Sequence, residues 1–212
     1  MAASPVLQNF DIGPHHLKVY TPEANAMQDH YLQVKKDDPS FNFPYWSQVW
    51  PAALGLCQFL FHHTHYLQDK KVVELAAGLG LPSLLAAQYA RQVIASDHIP
   101  EAVELMKRSA DLNGILNMKC GVLDWNCLPE NISTDILLLS DINYDPAEFE
   151  IVFSVLQIFL NSGTTIILST PQRLMAKPFI DRLLPFCIKR EEMLVDYKQH
   201  QTAITILILK LP

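Results

Sequence analysis

Five short runs, KKVVELA, QVIASD, MKCGVL, DILLLSD and TTIILST, follow one another between residues 70 and 170, with three helical segments among them. Several runs are apolar on both faces, as strands of a parallel sheet covered by helices on either side must be. The helices carry their own boundaries. Pro82 opens one, a second runs from about Pro100 to the Asn113-Gly114 stop, and a third runs from Pro146 to the Asn161-Ser162-Gly163 stop. Strand and helix in alternation admit few architectures and point to an α/β, doubly wound sheet. A further helix near residues 176–184 leads to two long runs, about 188–197 and 202–209, with no helix between them. Those two must pair as an antiparallel C-terminal hairpin at the sheet edge.

Before residue 70 the texture differs. Strand-like fragments and the prolines Pro14, Pro22, Pro39 and Pro44 surround a single helix. Pro51, with its fixed φ and no N–H, suits a first helical position. Ala53, Leu56, Phe59 and Leu60 then recur at helical spacing, so this helix is expected to reach about residue 65. Residues 1–68 are expected to form an N-terminal extension and helix covering the site, and 69–212 the principal domain; 212 residues suffice for one substantial core. The pair Asp37-Asp38 beside Lys35-Lys36 reads as a solvated turn.

Sixteen basic against twenty-two acidic residues, a formal charge of −6, argue against broad attraction to nucleic acid or an anionic membrane. No apolar run is long enough to span a bilayer, and the N-terminus lacks a basic start followed by an apolar stretch, so a soluble, cytoplasmic protein is expected. Cys57, Cys120, Cys127 and Cys187 are widely spaced and read as reduced, mostly buried thiols. His62, His63 and His65 crowd a helix end without a carboxylate or cysteine at ligand spacing, so no metal is expected there.

Ligands of such sheets lie beyond the carboxyl ends of the strands, where the strand order reverses. The first turn is VVELAAGLGLPSLLAA, in which Gly78 and Gly80 allow a tight turn and close backbone approach. The spacing meets neither the dinucleotide fingerprint G-x-G-x-x-G nor the phosphate loop with its Gly-Lys-Ser/Thr ending. Glu74 precedes the turn instead; a carboxylate there repels a pyrophosphate and suits a cationic amino group or sulfonium. Asp97 ends the second strand, where a carboxylate accepts both ribose hydroxyls. Asp124-Trp125 ends the third, offering an acceptor to an adenine amino group and an aromatic wall, although aspartate there also caps turns. The set describes an adenosine with a cationic tail.

On these residues the chain resembles the class I, seven-stranded S-adenosylmethionine-dependent methyltransferases. Their acidic-x-Gly-x-Gly-x-Gly motif is matched by Glu74, Ala76, Gly78 and Gly80, with Ala76 a departure at the first glycine position. The resemblance spans residues 44–212 and implies a Rossmann-like sheet whose last strand inserts between the fifth and sixth. It implies S-adenosylmethionine as cofactor, with Ser140 and Asp141 on the strand end that faces the transferring methyl. Within the class, Asp141-Ile142-Asn143-Tyr144 is similar to the Asp-x-x-Tyr motif of the protein-lysine methyltransferase group that includes the methyltransferase-like 21 enzymes and the electron-transfer-flavoprotein β-subunit lysine methyltransferase. That group also carries a Trp-Pro segment, and PYWSQVWPAALGLCQFL is similar to it. By this resemblance Trp50 walls the cofactor pocket and Trp46 or Tyr45 the substrate mouth. The STPQR turn implies that Arg173 contacts cofactor-side or substrate groups. Blander alternatives stand beside these: Trp46 and Trp50 as residues fixing the helix entry, Tyr144 as a helix cap, Arg173 as a surface residue.

Methyl transfer to lysine needs positioning of a deprotonated amine near the activated methyl. The resemblance makes Asp141 and Tyr144 the catalytic candidates, Asp141 orienting the amine and Tyr144, Trp46 and Trp50 forming an aromatic cage for cations. A small-molecule N- or O-methyltransferase, a non-catalytic binding module with the same fold, and more remotely a NAD-dependent oxidoreductase are the other readings.

Overall fold

The structure, a computed structural model, describes residues 5–129 and 132–211. In chain order the elements are β1 (Val6–Ile12), β2 (His15–Thr21), α1 (Ala24–Asp37), α2 (Pro51–His62), β3 (Lys71–Glu74), α3 (Leu81–Ala86), β4 (Gln92–Asp97) and α4 (Pro100–Leu112). There follow β5 (Met118–Val122), β6 (Ile136–Ser140), α5 (Phe149–Asn161), β7 (Thr165–Pro171), α6 (Lys177–Leu183), β8 (Cys187–Tyr197) and β9 (His200–Leu209).

The period-two apolar pattern of the strands divides the core into two. Val72, Leu138 and Ile167 enter one cluster, and Val73, Leu137, Ile166 and Leu168 the other. Helices α2, α3 and α4 cover the first face and α5 and α6 the second. The sheet runs β5-β4-β3-β6-β7-β9-β8. Its first five strands are parallel, while β9 pairs antiparallel with both β7 and β8. The expected hairpin is therefore present with its last strand inserted, and β8 forms the edge. Strand order reverses between β3 and β6, and this places the functional cleft.

The extension holds more structure than its sequence texture suggests. β1 and β2 form a separate two-stranded antiparallel sheet. It docks on α4, where Ser109 Oγ accepts from the Tyr20 amide at 2.9 Å and the Asn113 side chain bonds both backbone groups of Lys18. Between this hairpin and α2 lies α1, a 14-residue helix that the sequence pattern does not reveal. Glu23 caps it by accepting from the amides of Asn25 and Ala26. Residues 35–37, expected in a solvated turn, are the end of this helix, with Asp38 as its C-cap. α2 stops at His62, short of residue 65, and a separate 3-10 turn, Thr64–Tyr66, follows. His63 terminates the helix: its Nδ1 donates to the Phe59 carbonyl and its ring stacks on Phe59. All four cysteines are free, but the expectation of mostly buried thiols holds only for Cys57; Cys120 and Cys187 are partly buried and Cys127 is exposed.

Candidate functional site

At the strand-order reversal the carboxyl ends of β3 to β7 open into a cleft of about 490 Å³, a volume suited to a small ligand. Its floor is the turn after β3, where Ala76, Gly78 and Gly80 all take positive φ, at 50°, 56° and 74°. Gly80 is also demanded by space, because a Cβ there would lie 2.8 Å from Met106. At Gly78 a Cβ would make ordinary contact, 3.4 Å from the Trp46 carbonyl oxygen, which shows that the segment before α2 crosses directly over the turn.

Asp97, at the end of β4, is almost fully buried and lines the cleft. Its two oxygens accept from the amides of Gly78 (2.9 Å) and Ile99 (3.0 Å), which fixes the carboxylate against the glycine turn. Asp124 accepts from both the backbone and side-chain nitrogens of Asn126, and the backbone bond above all holds its carboxyl below the usual range. It thereby caps the 3-10 turn Trp125–Cys127, while both Asp124 and Trp125 remain on the cleft wall.

Glu74 differs from its expected placement. It is buried behind the glycine turn, does not line the cleft, and accepts from the Ser83 hydroxyl at 2.5 Å. Burial pushes its carboxyl up to about 8, against the pull of the Ser83 hydrogen bond, so at neutral pH it is mostly uncharged. It is no ready counter-charge for a cation.

Ser140 and Asp141, at the end of β6, also line the cleft. Asp141 is 8% exposed and both guanidinium nitrogens of Arg173 engage its carboxylate, the second at 3.0 Å. Arg173 therefore spends its fork on Asp141, and Asp141 is paired within the chain rather than presented alone to an amine. Three residues on, Tyr144 stands with its ring centroid 4.7 Å from that of Tyr45, which lies 5.9 Å from Trp50. The Trp50 indole donates to the Tyr45 carbonyl at 2.7 Å, locking this aromatic face at the entrance of α2. Trp46 lines the cleft over the glycine turn and packs on the core beneath α2. Trp46 thus lies on the turn side, and Trp50 in the aromatic group with Tyr45 and Tyr144. Burial, and after it the charge of Asp97, raises the Tyr144 phenol above its ordinary range, so it acts as a neutral hydrogen-bonding group.

Phe41, Phe43, Asp145 and Glu148 also line the cleft and escaped the sequence reading. The ring density of FNFPYW was the available sign of the first two. The acids follow Tyr144 in a turn whose direction sequence does not disclose.

Among solved structures, Thermus thermophilus 16S rRNA N2 G1207 methyltransferase RsmC, in complex with AdoMet and guanosine, superposes with a TM-score of 0.62 at 13% identity, over 99% of this chain and 51% of that one. At that identity the likeness is one of fold. The chain is 37% identical over 115 residues to the Histone-arginine methyltransferase METTL23 of Xenopus laevis, covering 51% of this chain and 49% of that protein. It is 30% identical over 164 residues to the Protein N-lysine methyltransferase METTL21A of Xenopus tropicalis, covering 71% of each. The chain spans about half the length of the METTL23 relative. Residues 28–184, which carry the glycine turn, the three strand-end aspartates and the aromatic face, match the family described as lysine methyltransferase, and the chain belongs to that family.

Proposed function

We propose that the cleft binds S-adenosylmethionine and that the protein methylates a nitrogen of a protein lysine side chain. The observation that carries this reading is the placement of Asp97 and Asp124 on successive strand ends around a glycine turn that Trp46 crosses. The charge of the cleft fits the same group. Among the described residues its wall carries Asp97, Asp124, Asp141, Asp145 and Glu148 against His98 and an Arg173 already engaged by Asp141. A pyrophosphate would find no free strong cation there, whereas an adenosine bearing a sulfonium meets a negative field.

When bound, S-adenosylmethionine supplies a methyl group on a sulfonium that departs as a thioether. Asp97 would take the ribose hydroxyls, Asp124 and Trp125 the adenine, and the backbone of the glycine turn the tail. Tyr45, Trp50 and Tyr144 supply aromatic faces at which a cationic side chain is favoured, and the neutral Tyr144 phenol can orient the acceptor nitrogen. A lysine amine, with an ordinary pKa of about 10.4, must lose its proton before it attacks; with Asp141 tied to Arg173, no carboxylate of this chain is assigned as the base.

Arginine is a second acceptor reading. It is favoured by the likeness to METTL23, named a histone-arginine methyltransferase.

The deciding experiment is calorimetric titration with S-adenosylmethionine and S-adenosylhomocysteine. Transfer of tritiated methyl into proteins of a cell extract would follow, with chromatography of the hydrolysed label. Micromolar binding and label recovered as methyl-lysine support the proposal, methyl-arginine moves the acceptor to the second reading, and absence of binding overturns both. Asp97→Ala is expected to weaken cofactor binding by about 1.5–3 kcal/mol for each charge-assisted bond lost.

A further inference from the structure

We infer that Arg173 is a positioning residue: by gripping Asp141 it sets the 141–145 loop so that Tyr144 stands against Tyr45 at the acceptor end of the cleft. The inference rests on reading the cleft as a methyl-transfer site and assigns Arg173 a task within it that differs from touching cofactor or acceptor.

Asp141 is a non-glycine residue with φ at +57°, a left-handed conformation that persists where the surroundings over-determine it. Here the surroundings come from the end of one strand. The Asp141 amide donates to the Ser169 carbonyl at 2.9 Å, the Thr170 hydroxyl donates to Asn143 Oδ1 at 2.8 Å, and the Arg173 fork closes on the Asp141 carboxylate. Ser169, Thr170 and Arg173 thus tie the loop to the end of β7 at three successive points. The guanidinium tie is the one that answers a charge. A carboxylate as buried as Asp141 is costly without a partner, and a planar fork satisfies both oxygens while dictating their direction. The turn that carries Arg173 is itself anchored on β9: the Gln172 amide donates to the Ala203 carbonyl and the Gln172 side chain to the Thr205 hydroxyl, both at 3.3 Å. Arg173 therefore reaches Asp141 from a fixed base, and Tyr144 follows from where the two meet.

The test compares Arg173→Ala, Arg173→Lys, Asp141→Ala and the double variant Asp141→Ala/Arg173→Ala. For each, S-adenosylhomocysteine binding is measured by calorimetry, tritiated methyl transfer by the strongest labelled band of a cell extract at saturating S-adenosylmethionine, and amide hydrogen exchange over residues 136–145. Arg173→Ala is expected to slow transfer by about 10- to 100-fold, the scale of a small misplacement at a reacting centre, with the cofactor dissociation constant within about threefold of wild type. Arg173→Lys is expected to recover part of the rate, and the double variant to be no slower than Asp141→Ala alone, because the two side chains act as one unit. Exchange should quicken at residues 141–145 in Arg173→Ala while β6 keeps its protection. Wild-type transfer in Arg173→Ala, losses that multiply in the double variant, or a loss confined to cofactor affinity would overturn the inference. Should the wild-type protein bind no cofactor, the functional reading fails by itself, and exchange still decides the inference: unchanged 141–145 amides in Arg173→Ala refute it.

Discussion

At position 76 the backbone takes φ of +50° with an alanine side chain attached, a conformation that costs a non-glycine residue about 1 kcal/mol. Ala76→Gly is expected to stabilise the fold by roughly that amount, raising the thermal midpoint by about 2–4 °C in a chain of this size; a calorimetric scan decides it. The alanine was legible as a departure from the glycine pattern, but only the dihedral shows that the departure is strained. Glu74 makes a second prediction. Its carboxyl is raised by burial from 4.5 to about 8 in the folded chain. As pH climbs through that window the unfolded chain releases a proton that the folded chain retains, so ionisation favours unfolding and stability falls from about pH 5 to about pH 8, levelling above. Glu74→Gln should flatten that slope, as chemical denaturation at a series of pH values would show. The acid was visible in the motif; its seclusion with Ser83, nine residues away in sequence, belongs to packing and was not.

Among the elements, α1 is the outlier. None of its residues is buried, and the Lys35 ammonium bond to the Phe41 carbonyl and the aromatic contacts of Tyr31 with Phe41 and Phe43 tether it to the segment that forms one cleft wall. Local opening costs little where few apolar contacts are lost, so the α1 amides are expected to exchange with solvent long before those of β6 and β7; mass spectrometry of exchanged peptides checks this. The same property explains why the helix was invisible in sequence. An amphipathic stripe is the trace that a buried face leaves on a helix, and α1 has no such face. By contrast β3, β6 and β7 are buried on both sides, so VVE, ILLLS and TIILST announce themselves, and Pro51, Pro82 and Pro100 mark helix entrances that the structure reproduces.

On the scale of the whole molecule, order along the chain and order across the sheet meet at one place. The strand order runs from β3 through β4 to β5 on one side and from β6 through β7 to the hairpin on the other, and residues from positions 41 to 173 converge on the cleft between β3 and β6. The strand-end aspartates could be found from sequence because each sits where a strand stops. The pairing of Asp141 with Arg173, 32 residues apart, depends on two loops folding toward each other and left no local trace. A ligand that binds only the folded chain stabilises it by mass action, so S-adenosylhomocysteine at 100 times its dissociation constant should add about 2.7 kcal/mol and raise the thermal midpoint by about 5–10 °C. Asp97→Ala should abolish most of that rise at the same concentration. The chain's three tryptophans, Trp46, Trp50 and Trp125, all line the cleft. Indole fluorescence from this protein is consequently light from the cleft alone: its colour and yield register what enters, with no dye attached and no background from the rest of the fold.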